Sequence, residues 1–475
     1  MTELHFSSAS SIARKIREGE IGAREALEHF IDRIDRFNGK VNAVVVTDYE
    51  GARARADEAD RARARGDDLP PLHGVPLTIK EMFDVTGMPT TWGATVMQDN
   101  IANRDALVVK RLAAAGANIF GKTNVPEWGA DNQSVNDVYG RSCNPFDLTR
   151  SVGGSSGGSA ASVAAGFTSF EIGSDIGGSI RNPSHFCGTF GLKTTFGIVP
   201  TKGHELPGQL AAMDVCVTGP MARSADDLDL IMGLIAKPDE EEVQGIYYDF
   251  PRLEKPLSEL RVATWRTEEN FPVAKEVQDR ITMVAAMLSE RGASVDHDRK
   301  PDIDFEVSRQ THHVMCMASL ALMGPDEPTE PDAQNTLDVN GWGADAAKRL
   351  RYRDWAFWHE NRLRLHQSWR EFFKSYDVLI APSSSTAAFP HESRPVLERT
   401  LEVDGKTYPY MDQAFWPHFV SIGHLPSLVI PTGLNSEGLP IGVQLIGNYY
   451  SDLKLIGIAQ RLEQMGLKFV PPAGY

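Results

Sequence analysis

The sequence predicts an α/β fold in which a sheet is covered by helices on both faces. From Leu72 onward, short apolar runs alternate with amphipathic stretches at helical spacing. After Asp377 the chain returns to apolar runs and closes on one more amphipathic stretch. The chain has 475 residues and a hydrophobic fraction of 41%, ample for one large buried core. Big α/β chains commonly exceed the length prior as a single unit. No repeat emerges at any fixed period.

The elements follow in order. Residues 8 to 36 read as a helix: Ser8 and Ser10 are capping types, and Ile12, Ile16, Ala26, Leu27, Phe30 and Ile34 recur at helical spacing. Val41 to Val46 reads as a short buried strand. Ala52 to Arg65 interleaves alanine with arginines and acids, the pattern of a solvated helix face rather than a nucleic-acid patch. Val75 to Lys80 is a strand entering a turn, Leu107 to Ala115 a helix, and Ala117 to Gly121 a strand. Residues 236 to 256 are polar and carry proline, a surface excursion. Leu260 to Trp265 and Ala293 to Val295 read as strands flanking the helix Val277 to Arg291. Positions 305 to 375 are helical and aromatic, with Trp355, Trp358, Trp369, Phe372 and Phe373 assigned to packing before a substrate lid. Asp377 to Ala381, Ser427 to Pro431 and Ile441 to Ile446 are strands, and Leu453 to Gln464 is the closing helix.

Composition excludes several partners. A formal net charge of −16 argues against a nucleic-acid backbone or an anionic membrane surface. The four cysteines (Cys143, Cys187, Cys216 and Cys316) form no CxxC pair, which fits free thiols in a reducing compartment. Met1 to Ser11 shows no basic stretch followed by an apolar one, and no apolar run of about 18 residues occurs. The expectation is a cytoplasmic protein with no membrane contact.

Two glycine clusters carry the chemistry. Gly153-Gly-Ser-Ser-Gly-Gly158 opens a small-residue stretch with helix character. It lacks the Gly-Lys-Ser/Thr ending of a P-loop, and Asn144 to Arg150 is a poor strand for a dinucleotide site. It also fits Gly-x-Ser-x-Gly around Ser155, the nucleophile pattern of α/β-hydrolases, which needs a later histidine. His204, His312, His359 and His424 follow, and nothing in their settings singles one out. The second cluster, Gly173-Ser-Asp-Ile-Gly-Gly-Ser-Ile-Arg-Asn-Pro183, lets backbone N–H groups of Ile176, Gly177, Gly178 and Ser179 converge on one point, as an oxyanion hole requires. A tight turn is the plain alternative for either cluster alone. Two clusters together, with Lys80 after a strand, favour a site.

These residues resemble the amidase signature family. The family's long Gly/Ser block stands here from Gly153 through Gly173-Ser-Asp-Ile-Gly-Gly-Ser-Ile-Arg to Phe190-Gly-Leu-Lys-Thr. Flanking matches are Gly74-Val-Pro-Leu-Thr-Ile-Lys80, Gly121-Lys-Thr-Asn-Val-Pro-Glu127, Asn144-Pro145, Gly219-Pro-Met-Ala-Arg-Ser224 and Gly438 to Gly447. The matches cover about 70 to 235 and 377 to 465 and leave 240 to 370 variable. Lys193-Thr-Thr stands where Lys-Pro followed by Ser or Thr is common, and Ser174 replaces a frequent threonine.

The resemblance implies an α/β/α sandwich with a large central mixed sheet. It divides a single domain spanning 1–475 into an N-terminal helical segment (1–70), a signature core (71–235), a variable helical region shaping the substrate pocket (236–375) and a C-terminal part of the sheet with its closing helix (376–475). It also implies a Ser–cisSer–Lys triad: Ser179 attacks the carbonyl, Ser155 relays the proton, and Lys80 is the base. Backbone amides of Ile176, Gly177, Gly178 and Ser179 hold the oxyanion. Ser156, Asp175 and Arg181 support the loops, the last two through buried hydrogen bonds. Such a lysine must fall by about three units from about 10.4 to act as a neutral base at pH 7 to 8, roughly 4 kcal/mol of differential solvation. Burial beside Ile79 and Met82 supplies part of it.

No cofactor or metal is expected. His312, His313 and Cys316 have helix-face spacing, but no further ligand stands nearby in sequence. Cys187, in Phe186-Cys-Gly, is read as a small buried hydrophobe. The leading expectation is a stand-alone amidohydrolase of linear amide C–N bonds, extending to esters or carbamates. Its small-molecule pocket would be shaped by 125–140, 200–212 and 305–375, with Trp355, Trp358 and Met315 as candidate lining, and its assembly a homodimer. Related members include aryl acylamidases, urethane hydrolases and nylon-oligomer hydrolases. The alternatives are the amidase subunit of a tRNA-dependent amidotransferase, an α/β-hydrolase-like esterase with Ser155 as nucleophile, and a non-catalytic anion binder.

Overall fold

Gly19 divides the first helical stretch. In the computed structural model, which describes residues 3–206, 209–320 and 350–475, two helices, Ala9–Glu18 and Ala23–Val41, replace the single one expected over 8 to 36. Gly19 ends the first at φ 74°, a left-handed cap that glycine adopts without a side-chain clash. The second starts afresh, its Ala23 and Arg24 N–H groups donating to Asp60 at 2.7 and 3.0 Å. The apolar positions named from periodicity are all buried. The strand after it is Val44–Thr47 and begins later than expected. Val41 still belongs to the helix, and the Asn38 side-chain oxygen Oδ1 accepts from the N–H groups of Ala43 and Val44.

The arginine-rich segment forms the helix Tyr49–Arg65, and its charges pair with neighbouring acids, Arg53 with Glu28 and Arg61 and Arg65 with Glu58. That is the solvated face expected.

The main sheet has eight strands, in spatial order Ser294–Asp296, Arg261–Thr264, Val378–Pro382, Pro440–Ile446, Ser427–Leu434, Phe190–Lys193, Val217–Ala222 and Glu171–Asp175. The first three run parallel and the remaining neighbours antiparallel, so the sheet is mixed. Beyond the Glu171–Asp175 edge lies a three-stranded sheet of Val44–Thr47, Asn118–Thr123 and Pro76–Lys80. The seam between the sheets is polar: Thr78 N–H donates to Thr168 Oγ1 at 2.9 Å, and Ser169 Oγ to the Pro76 carbonyl at 2.8 Å. It brings the end of one strand, Lys80, beside the end of another, Asp175. Helices such as Gly157–Ala165, Arg181–Cys187, Ala225–Ile235, Lys275–Glu290 and Asp452–Gln464 pack on the sheet strands.

Three strands of the main sheet, Glu171–Asp175, Phe190–Lys193 and Val217–Ala222, were not foreseen, nor were two features outside it. A hairpin, Thr400–Val403 with Lys406–Pro409, turns through Asp404 and Gly405 at φ 49° and 77°. The Asp-Gly pair is the sequence signal that marks it. Asp147–Ser151 is a short strand paired with Cys143–Asn144 in a half-buried ribbon, outside the main sheet. No described helix is long and apolar enough to cross a membrane.

Candidate functional site

Lys80 closes its strand fully buried, its Nζ 2.7 Å from Ser155 Oγ and 2.9 Å from Ser174 Oγ. Burial pulls its ammonium down to about 7, only partly opposed by the field of Asp175. Ser155 sits at the mouth of the helix Gly157–Ala165, after a cis peptide to Gly154. Gly154 admits no side chain, because a Cβ there would lie 2.1 Å from the Asp131 carbonyl oxygen. Ser179 stands in the turn between the strand Glu171–Asp175 and the helix Arg181–Cys187, partly open to a cavity of about 220 Å³ that Ser155 also lines. The Ser156 N–H donates to the Ser179 carbonyl at 3.0 Å, tying the two serine loops together. Ser156 Oγ meanwhile meets the Ser174 backbone.

Asp175 and Arg181 lock the second loop. The Asp175 carboxylate accepts from Gly178 N–H at 2.8 Å, Ile180 N–H at 3.0 Å and Arg181 Nη2 at 2.8 Å. Burial alone would raise its pKa, but the Arg181 charge outweighs that and holds the carboxyl well below its usual range. Arg181 also donates to the Pro417 carbonyl at 3.0 Å and Ser421 Oγ at 2.8 Å, fastening the loop to the helix Phe415–Ile422.

Of the four amides assigned to an oxyanion, the Gly178 N–H is therefore committed to Asp175. The N–H groups of Ile176, Gly177 and Ser179 make no hydrogen bond to a described residue. Both glycines are required by close approach. A Cβ on Gly177 would lie 2.6 Å from His418 Nε2, and one on Gly178, at φ 111°, would lie 2.8 Å from Pro417.

The cavity wall is aromatic and sulfur-rich: Met82, Trp92, Trp128, Phe271, Met317 and Phe415 contribute. Trp92 and Trp128 both adopt positive φ, 54° and 55°, sparsely populated for bulky side chains. Buried Glu81, next to Lys80, holds the first of them by accepting from the Trp92 N–H at 2.9 Å. The Trp128 N–H in turn donates to the Trp92 carbonyl at 2.8 Å.

The segments 125–140, 200–212 and 305–375 each reach this cavity, through residues such as Asp131, His204 and Cys316, while positions 207–208 and 321–349 lie outside the described residues. Phe271, Met411, Asp412, Ala414, Phe415 and His418 also line it, and no motif pointed to them. Trp355, Trp358 and Met315 do not. They pack with Val215, Leu365 and Ile422 in a separate apolar cluster, because their helices turn those faces toward each other.

Ser155 Oγ has Lys80 as its partner, and among the described residues no imidazole hydrogen-bonds to it. His204 lies on Phe83 and Trp92 and is kept neutral by burial, down to about 3. His359 meets Arg362, and His424 stacks on Phe196. His312, His313 and Cys316 line the cavity, and no group of three or more potential metal ligands gathers among the described residues. Burial pushes the Cys187 thiol up, and its Sγ donates to the Val152 carbonyl at 3.7 Å.

The amidase family model matches residues 25–456. A glutamyl-tRNA(Gln) amidotransferase subunit from Acinetobacter baylyi is 31% identical over 98% of this chain and 97% of its own. The crystal structure of a bacterial aryl acylamidase of the amidase signature family superposes with TM-score 0.86 at 25% identity, covering 100% of both chains. The structure of 6-aminohexanoate cyclic dimer hydrolase complexed with substrate gives TM-score 0.81 at 26% identity, covering 99% of each chain.

Proposed function

The chain belongs to the amidase family, and from that premise we propose that it is a stand-alone hydrolase of apolar, aryl-bearing amides, working through an acyl-enzyme on Ser179. The observation that carries the mechanism is the 2.7 Å contact between buried Lys80 Nζ and Ser155 Oγ, in a cavity shared with Ser179. Neutral Lys80 takes the proton of Ser155, Ser155 takes that of Ser179, and Ser179 Oγ bonds to the substrate carbonyl carbon. The N–H groups of Ile176, Gly177 and Ser179 hold the oxygen that gains charge. As the C–N bond breaks, the ammonium of Lys80 returns the proton through Ser155 to the leaving nitrogen. Water then attacks the ester, gives its proton to the same relay, and releases the acid with Ser179 restored.

The substrate class rests on the tryptophans, phenylalanines and methionines of the wall, which desolvate an aromatic or long aliphatic group, while Asp131, Asn132, Arg309 and Asp412 leave polar partners in the same cavity. Similarity to the aryl acylamidase supports it. Esters and carbamates, urethanes included, enter the same acylation step.

Hydrolysis of a panel of anilides, alkyl amides, a carbamate and glutamine tests the reading. Anilides are expected to give the highest kcat/KM. A second reading, the amidase component of an amidotransferase, is favoured by the 31% identity, along nearly the whole chain, to the Acinetobacter baylyi protein. Glutamine as the preferred substrate, or activity only with added partner proteins, would establish that reading instead.

A further inference from the structure

The loop that carries the oxyanion amides is gripped from the variable region. His312, on the helix Phe305–Leu320, places Nε2 3.3 Å from the Ile176 carbonyl oxygen. That oxygen only accepts, so Nε2 carries the hydrogen and donates. The imidazole of His418 stacks on His312 with centroids 3.8 Å apart and planes 16° from parallel. The same ring of His418 closes the space beside Gly177. Burial keeps His312 neutral, its pKa drawn down to about 4, and draws His418 well below its ordinary value, so the stack carries no repelling charges.

The carbonyl of Ile176 and the N–H of Gly177 belong to one planar trans peptide and point in opposite directions. Pinning the oxygen therefore fixes the N–H. We propose that His312 is a positioning residue of the oxyanion hole: by donating to the Ile176 carbonyl, with His418 as its backing, it orients the Gly177 N–H for the transition state. This rests on the reading of Ser179 as nucleophile. It also assigns a catalytic consequence to a helix outside the glycine-rich core.

The test compares His312→Phe, which keeps a ring on His418 but loses the donor, with His312→Gln, whose amide nitrogen restores one. His312→Leu serves as a second donorless variant, and thermal unfolding verifies the fold of each. Direct loss of one oxyanion donor costs about 100- to 1,000-fold in kcat. Loss of its orientation is expected to lower kcat about 10- to 100-fold in the donorless variants with little change in KM, and His312→Gln is expected to recover most of it. Wild-type kcat in a folded donorless variant, an equal loss in His312→Gln, or a loss confined to KM would overturn the proposal. A fluorophosphonate adduct mapped in the wild-type protein separates the two layers. An adduct on Ser179 with an unaffected His312→Phe variant defeats this inference alone, whereas an adduct elsewhere defeats the nucleophile assignment beneath it.

Discussion

Lys80 and Ser155 share a hydrogen bond of 2.7 Å in a setting from which water is excluded on the lysine side. An amine in that position is a poor place for charge, and this makes it a usable base. In the proposed mechanism, the same burial that would be a defect in a structural residue supplies the proton acceptor.

The pH dependence of catalysis follows. Lys80 must be neutral to accept a proton, and burial sets its pKa at about 7. The value of kcat/KM is expected to climb with slope one from the acid side and level off above about 7. Replacing Lys80 with methionine removes turnover across the range. An acid limb governed by a group near 4 would point to a carboxylate base instead.

The buried lysine also leaves a signature in stability. In the unfolded chain it holds its proton up to about 10.4, in the folded chain only to about 7. Between those values the unfolded state binds more protons, so stability rises with pH. Below about 7 both states are protonated and the full cost of roughly 5 kcal/mol remains. The stability of Lys80→Met relative to wild type is thus expected to rise as pH falls from about 10 to about 7 and to level off below it. The two hydroxyls left without the amine, Ser155 and Ser174, add an offset of roughly 1–3 kcal/mol each that does not vary with pH. Lys122 and Lys193 are buried in both proteins and cancel in the comparison. A difference independent of pH would contradict the assignment.

Gly177 is held free of a side chain by His418. Gly177→Ala places a methyl group 2.6 Å from His418 Nε2 and is expected to cost at least about tenfold in kcat, because the loop must shift. His418→Ala in the same background removes the obstacle and should restore part of the loss. If Gly177→Ala alone retains wild-type activity, the loop is not as closely packed as the geometry requires.

How much of this was legible beforehand depends on range along the chain. Lys80, Ser155 and Ser179 sit in motifs whose residue types and glycine spacing announce them, and the alternation of strands and helices gave the α/β class. The Gly19 break was visible as a glycine but was overridden by the apolar period on both sides. The commitment of the Gly178 amide to Asp175 depends on which way one peptide plane turns, which spacing alone does not encode. Ser174, the second partner of Lys80, drew notice only as a replacement for a frequent threonine. His312 and His418 are more than a hundred residues apart and meet only because two helices converge on the nucleophile loop. His418 carries no local pattern at all, and His312 enters only as one of four candidate histidines after Ser155 and through a metal-like spacing.

The most direct measurement is the position of the covalent adduct formed by a fluorophosphonate, read by mass spectrometry of the modified peptide in wild type and in Lys80→Met. A single adduct on Ser179 is expected in the wild type, and little or none in the variant at neutral pH. An adduct on Ser155, or one that forms on Ser179 at an undiminished rate without the lysine amine, would contradict the mechanism.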